Sequence, residues 1–356
     1  MDRSCLLLSL TLLSPLRAQE SYFQEERLPW WRPSVNWNTV YDHIELGPGR
    51  PDIERTRGHL RLRWELGREK FPFRLILGSA SHVGSDGNRN NLPRFDNQRS
   101  NGTELDIADL QFRWIRPHGA VELHGGLIEN PLLISGSLWD ENLRLMGGGG
   151  RFFLRSQEGI VQELGLRSAF GDVRLIEGGR VKLNAVQGVF SLETGLFRWT
   201  AHGGQWKLEA RDEDASKFRR QNPGTSSRYN NPEFRFRTYG FNIELSGALP
   251  LELKALRHED QNSDDRGEEF QAWVGSKTRK WWPMLGYMRQ RLDPRGALAS
   301  INGDQWWFHA NADGQRYVLA FNLPKRFRLT ADYVEQTRRG VSTPVKRSTV
   351  ALSHRF

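Results

Sequence analysis

From His59 onward the chain alternates apolar and charged residues with a period of two. "HLRLRWEL" sets Leu60, Leu62, Trp64 and Leu66 on one side and Arg61, Arg63 and Glu65 on the other. "DLQFRW" does the same with Leu110, Phe112 and Trp114, and "FRWTA", "QWKLEAR", "PEFRFR", "LELKA", "RYVLAFNL" and "KRFRLTADY" follow suit. Successive side chains of a strand point to opposite faces, so each stretch reads as a strand with one apolar and one polar face. No window approaches the roughly 18 consecutive apolar residues that a transmembrane helix needs.

A soluble sandwich also alternates in this way, with its apolar faces packed inward. Three features point instead to a membrane barrel: the polar face is dense in arginine, the strands recur about every 20 residues, and tight turns alternate with long loops. The tight turns include "GREKFP", "RPHG", "SGALP" and "LPKR"; the long loops include Val83 to Thr103, Arg211 to Asn231, Leu292 to Gly314 and Glu335 to Ser348. A transmembrane barrel carries aromatics at both interfaces, and 13 tryptophans meet that need, with Trp64, Trp199, Trp206, Trp281 and Trp282 at or near strand ends.

The first residues carry Arg3, an apolar run from Cys5 to Leu13 and a small residue, Ala18, which together read as a secretory signal peptide over 1–18. The only cysteine, Cys5, would leave with it, so neither a disulfide nor a thiolate metal site is expected in the remaining barrel. The chain is +9 overall, and removal of Asp2, Arg3 and Arg17 (−1 and +2) leaves +8, which favours anionic partners. Residues 19–33 are expected to be an unstructured segment before the first strand.

Loop polarity sets the strand number. All long loops fall on one side if Thr194 to Arg211 is one strand and "SVNWNTVYDHIEL" supplies an upward first strand. The expected fold is therefore an all-β, closed antiparallel transmembrane barrel of about 16 strands, with 14 and 18 as alternatives. Its end is distinctive as well: Val350, Leu352, His354 and Phe356 share the lipid face of the last strand. A terminal aromatic after alternating apolar positions resembles the sorting signal read by the bacterial barrel-assembly machinery, with His354 standing where an aromatic is common.

"HGAVELHGGLIENPLLISGSLWDENLRLMGGGGRFF" resembles a bacterial outer-membrane porin family of general porin-like barrels. Matching residues are Gly126, Glu129, Asn130, Pro131, Leu138, Trp139, Asp140, Glu141, Leu143 and Gly147 to Gly150. The likeness runs from about Arg57 to Phe153, and a more distant one connects the chain to alginate-export barrels. It implies an outer-membrane location among lipid and lipopolysaccharide, small anionic solutes as permeants, and a homotrimer as one assembly. By the same likeness the 129–145 loop folds into the lumen as a constriction built on Glu129, Asn130, Pro131, Trp139, Asp140 and Glu141; an ordinary surface loop is the alternative.

Taking the apolar face as lipid-facing throughout puts Arg61, Arg63, Arg74, Arg113, Arg151, Arg155, Arg167, Arg198, Lys207, Arg235, Arg237, Lys254, Arg289, Arg291, Arg316, Arg326 and Arg328 inward. Glu65, Asp109, Glu122, Glu163, Glu209, Glu244, Glu252, Glu269 and Asp332 join them, so bases outnumber acids about two to one. Arginine-lined pores concentrate anions, and guanidinium holds carboxylate or phosphate with two hydrogen bonds. Three functions stay open on this reading: a passive anion-preferring porin, a dedicated channel for an anionic oligo- or polysaccharide, and a barrel with an enzymatic or structural role. No cofactor and no catalytic group is assigned, because no serine, histidine and carboxylate lie close together in sequence. "HEDQNSDDRGEE" lacks the spacing of a calcium loop, "GGGG" at 147–150 lacks the lysine of a phosphate loop and suggests close backbone approach instead, and no nucleic-acid site is expected.

Overall fold

The computed structural model describes residues 30–67, 71–86, 102–156, 160–174, 180–211, 233–276, 278–303 and 305–355. The signal peptide and Phe356 lie outside these residues.

Sixteen antiparallel strands close on themselves, each paired with its neighbours in sequence and the first paired with the last. They are β1 (Trp31–Glu45), β2 (Ile53–Leu66), β3 (Phe73–Asp86), β4 (Gly102–Arg116), β5 (Gly119–Ile128), β6 (Leu145–Leu154), β7 (Val161–Arg174) and β8 (Arg180–Thr194). The second half comprises β9 (Phe197–Arg211), β10 (Glu233–Leu245), β11 (Leu251–Asp260), β12 (Arg266–Gly275), β13 (Pro283–Leu292), β14 (Ala312–Asn322), β15 (Phe327–Arg338) and β16 (Val345–Arg355). The segment from Phe197 to Arg211 is a single strand, as the loop polarity requires. β1 begins earlier than expected: Trp31, Arg32 and Pro33 already pair with Leu66, Glu65 and Trp64. Closure leaves no strand edge to be satisfied by lipid, which cannot hydrogen-bond.

The closing seam is marked by a buried charge cluster. Asp42 of β1 is fully buried, and its carboxylate accepts from Arg347 and Thr349 of β16 at 3.0 and 2.8 Å and from Arg57 of β2 at 2.5 Å, with Arg55 at 3.2 Å. These contacts tie both ends of the sheet to one acid.

The outer face carries exposed aromatic rings, with tryptophans gathered toward one end. Trp31, Trp64, Trp114, Trp281 and Trp282 stand exposed near the short-turn end, Tyr41 near the long-loop end of β1, and Tyr239 and Tyr317 halfway along β10 and β14. Val350 and Leu352 point outward among them, and the His354 ring is covered by Phe327 at 4.1 Å between centroids.

Candidate functional site

The lumen is crossed by two of the long loops. Residues 129–144 leave β5 and touch widely separated strands: Asn142 accepts from Arg61 of β2 at 2.7 Å, Gln187 of β8 bonds both backbone groups of Leu133, and Glu269 of β12 accepts from the Ser137 amide at 3.0 Å. A segment that reaches β2, β8 and β12 of a closed barrel has to run through its interior. Gly149 of β6 makes room for it, since a Cβ there would stand 2.8 Å from the Pro131 ring. Of the four glycines in "GGGG" only Gly149 meets the loop; Gly147, Gly148 and Gly150 leave room for Phe170, His124, Glu122 and Leu123 of the neighbouring strands.

Residues 293–311, between β13 and β14, form the second inward loop. Ala297, Leu298, Ala299, Ile301, Trp306 and Trp307 are buried, and Gln336 of β15 accepts from the Phe308 amide at 2.5 Å and donates to its carbonyl at 2.8 Å. Arg295 fastens the near end by donating to Asp260 at 2.7 Å and lying over the Phe234 ring at 4.3 Å. The two loops bond to one another, Asp140 to the Ile301 carbonyl at 2.7 Å and Gly303 to the Gly136 carbonyl at 2.6 Å. A sequence reading that stops at "loop" misses this element, although its signal is plain: "GALASINGDQWWFHA" is far too apolar for a solvated connection.

Packing of these loops inverts the faces of the neighbouring strands. Leu183, Leu208, Phe234 and Phe236 are fully buried and Trp206 nearly so, all in one cluster with Leu138, Trp139, Leu298 and Ile301. On β9 and β10 the apolar residues near the long-loop end therefore point inward, and the charges between them point out. Lys207, Glu209, Arg235 and Arg237 face outward, contrary to the expectation from alternation, and Trp206 stands in the core rather than at an interface. Arg289 and Arg291 of β13 are likewise outward and exposed, because Met288, Gln290 and Leu292 hold the inner face. Arg326 sits in the exposed turn Pro324–Arg326, and Arg155 follows the end of β6 and caps the carbonyls of Arg116 and Pro117. The inner faces of these strands had to match an apolar partner, which alternation alone cannot reveal.

The remaining inward bases are mostly paired with acids. Glu122 is shared by Arg113 and Arg151 at 3.2 and 2.7 Å, and Asp106 by Arg61 and Arg144 at 3.6 and 3.1 Å. Glu65 is shared by Arg63 and Arg74 at 3.4 and 4.0 Å, and Arg63 also reaches Glu129 at 3.3 Å. Arg167 donates to Glu163 from Nη2 to both carboxylate oxygens at 3.0 Å and from Nε at 3.2 Å, while Arg198, Lys254 and Arg316 meet Glu193, Glu252 and Asp332. Arg328 faces inward against the Met284 sulfur at 3.8 Å. The twofold excess of inward bases therefore does not hold around the whole wall. On β2–β6 Glu122, Asp106 and Glu65 each serve two guanidiniums, and a further buried acid, Asp109, bonds His124 at 2.9 Å. Of the constriction residues, Glu129 contacts Arg63, Asn130 turns the chain by accepting from the Leu132 amide at 3.2 Å, Trp139 and Asp140 are buried, and Glu141 is exposed with its carbonyl bonded to Arg144.

No protein-family model matches the chain, and no curated protein matches it in sequence. Solved structures do. OprB of Pseudomonas putida superposes with a TM-score of 0.59 over 96% of this chain and 97% of that one, at 8% identity. The fold is that of the bacterial outer-membrane porins. OmpF of Salmonella typhi, solved with daunomycin, gives a TM-score of 0.54 at 11% identity over 93% of this chain and 100% of that one. A BenF-like porin from Pseudomonas fluorescens gives 0.50 at 10% identity over 93% and 100%. In an outer-membrane porin the short turns are periplasmic and the long loops extracellular. Both inward loops of this porin fold descend from the end of the barrel that carries the long connections.

Proposed function

We propose that this chain is an outer-membrane channel for passive diffusion of small solutes, with a preference for anions set by the β2–β6 wall. The observation that carries the reading is the sharing of Glu122 by Arg113 and Arg151 and of Asp106 by Arg61 and Arg144, beside the 129–144 loop. The Glu122 trio keeps a net positive charge, while in the Asp106 group Arg144 is also met by Glu129 at 3.8 Å. Arg61, Arg63, Arg113 and Arg151 all retain about a third of their side-chain surface, so the charge is presented to a passing solute rather than sealed in the wall. A fixed positive wall in a low-dielectric lumen raises the local anion concentration and lowers that of cations. The test is the reversal potential of the refolded barrel in a planar bilayer under a salt gradient. Stepwise conductance with anion preference supports the reading; cation preference refutes the assignment of the wall.

A second reading follows from the bond between the two loops across the lumen. A mouth narrowed by both 129–144 and 293–311 suits a channel dedicated to one extended anionic solute, such as an oligosaccharide of uronic acids. Saturable, concentration-dependent block of the ion current by such an oligosaccharide distinguishes it from simple diffusion, which shows none.

A further inference from the structure

Glu269 is a buried carboxylate with no base beside it. It stands on the inner face of β12, 3% exposed, where the two bonded loops meet the wall. Among the described residues it takes part in no ion pair. Lys254 of the adjoining β11 is in register with Gln271 instead and engages Glu252 at 2.6 Å. What reaches Glu269 is neutral: the Gln271 side chain donates to one oxygen, the Ser137 backbone amide donates to the other at 3.0 Å, and the Ser135 and Ser137 hydroxyls, 2.7 Å apart, turn toward it. Taking a lone carboxylate out of water costs more than neutral donors return, so buried charges are paired or bind a metal ion.

A second buried group is left over at the same place. Gln290 of β13 is directly opposite Glu269 in the register and 1% exposed, and neither its amide oxygen nor its amide nitrogen has a hydrogen-bond partner among the described residues. Opposed residues of antiparallel strands hold their Cβ atoms about 5 Å apart, which puts the amide oxygen within reach of an ion seated on the carboxylate. The second loop adds an oxygen of its own: a Cβ on Gly136, between the two serines, would stand 3.4 Å from Gln305 Oε1. Carboxylate, amide and hydroxyl oxygens suit a hard cation rather than a transition metal. One carboxylate balances one charge, whereas a divalent ion leaves a positive charge buried. We propose that Glu269 and Gln290, with Ser135 and Ser137, seat a monovalent cation of the sodium class, which pins the junction of the two inward loops to β12 and β13. The site lies on the wall opposite the β2–β6 arginines and is independent of the selectivity they set.

The experiment follows urea unfolding of the refolded barrel in lipid vesicles, in sodium chloride, in choline chloride of the same ionic strength, and in choline chloride with millimolar calcium. Choline is too large for a site made of converging side-chain oxygens. For the parent, sodium should raise the urea midpoint over choline, and the unfolding constant should fall about tenfold once sodium stands at ten times its dissociation constant. E269Q keeps the shape and loses the charge, so its midpoint should be the same in both salts. Q290L keeps the carboxylate and loses one oxygen, so it should need about tenfold more sodium for the same rise, the equivalent of one modest ligand contact. Equal midpoints of the parent in sodium and choline would overturn the proposal, as would a sodium response in E269Q equal to the parent's. A Q290L curve superposed on the parent's, or a response to calcium with none to sodium, would overturn it as well. The Q290L comparison decides the matter on its own if E269Q does not fold.

Discussion

Gln187 of β8 holds Leu133 by both backbone groups, accepting from its amide at 2.8 Å and donating to its carbonyl at 2.9 Å. The side chain is almost fully buried, so the 129–144 loop is bound as a strand neighbour would be. Replacing Gln187 by Leu leaves a buried N–H and C=O without partners, at a cost of about 1 to 3 kcal/mol each if no water enters. The expected result is a folded barrel with lower resistance to urea and a noisier single-channel current. An unchanged current trace would show that the loop is held by its other contacts alone.

Glu129 is the most exposed carboxylate in contact with the β2 wall, 3.3 Å from Arg63 and 3.8 Å from Arg144. Its charge screens both arginines. Glu129→Gln removes that screening while keeping the shape, so the reversal potential should move further toward that of the anion. Arg63→Glu should move it the other way. The lumen is solvated, so neither change is expected to alter stability by more than about 1 kcal/mol.

Among the described residues Asp42 is the acid shared by three arginines, Arg55, Arg57 and Arg347, at the seam between β16, β1 and β2. Asp42→Asn keeps the size but removes the charge that the three buried guanidiniums share, and breaking such a buried cluster costs about 3 to 5 kcal/mol. Unfolding followed by gel mobility in urea should show a much lower midpoint. A variant as stable as the parent would mean that water or an anion replaces the carboxylate.

The sequence was most legible where lipid is the neighbour. The midsections of β2 and β4 alternate because one face meets hydrocarbon and the other water, so "HLRLRWEL" and "DLQFRW" reveal their facing directly. It failed where protein replaces water inside the lumen. Phe234 and Phe236 look lipid-facing by the same rule, yet they pack on loops that are remote in sequence, and the charges of Arg235 and Arg237 are solvated by the exterior instead. The strand number is legible because turn length sets the polarity of the chain. The inward path of residues 293–311 depended on reading an apolar loop as a core element. Alternation makes the β2–β6 arginines legible, but Glu65 apart, their carboxylate partners come from other strands or the 129–144 loop and become visible only with the register.

The inversion on β10 makes opposite predictions for adjacent residues. Phe236 is fully buried, in contact with the rings of Phe234 and His258 at 5.7 and 5.6 Å, so Phe236→Ala should cost about 3 to 5 kcal/mol. Arg235, exposed and paired with Glu233 in water, should tolerate Ala at a cost below about 1 kcal/mol. Lower on the barrel the ordinary rule returns: Leu62→Arg on the lipid face of β2 should cost about 2 to 4 kcal/mol if it lies at the membrane midplane. Urea titrations of the three variants in lipid vesicles test all of this together. Equal costs for Phe236→Ala and Arg235→Ala would mean that β10 is displaced by one residue against β9, since a one-residue slip exchanges the two faces of a strand.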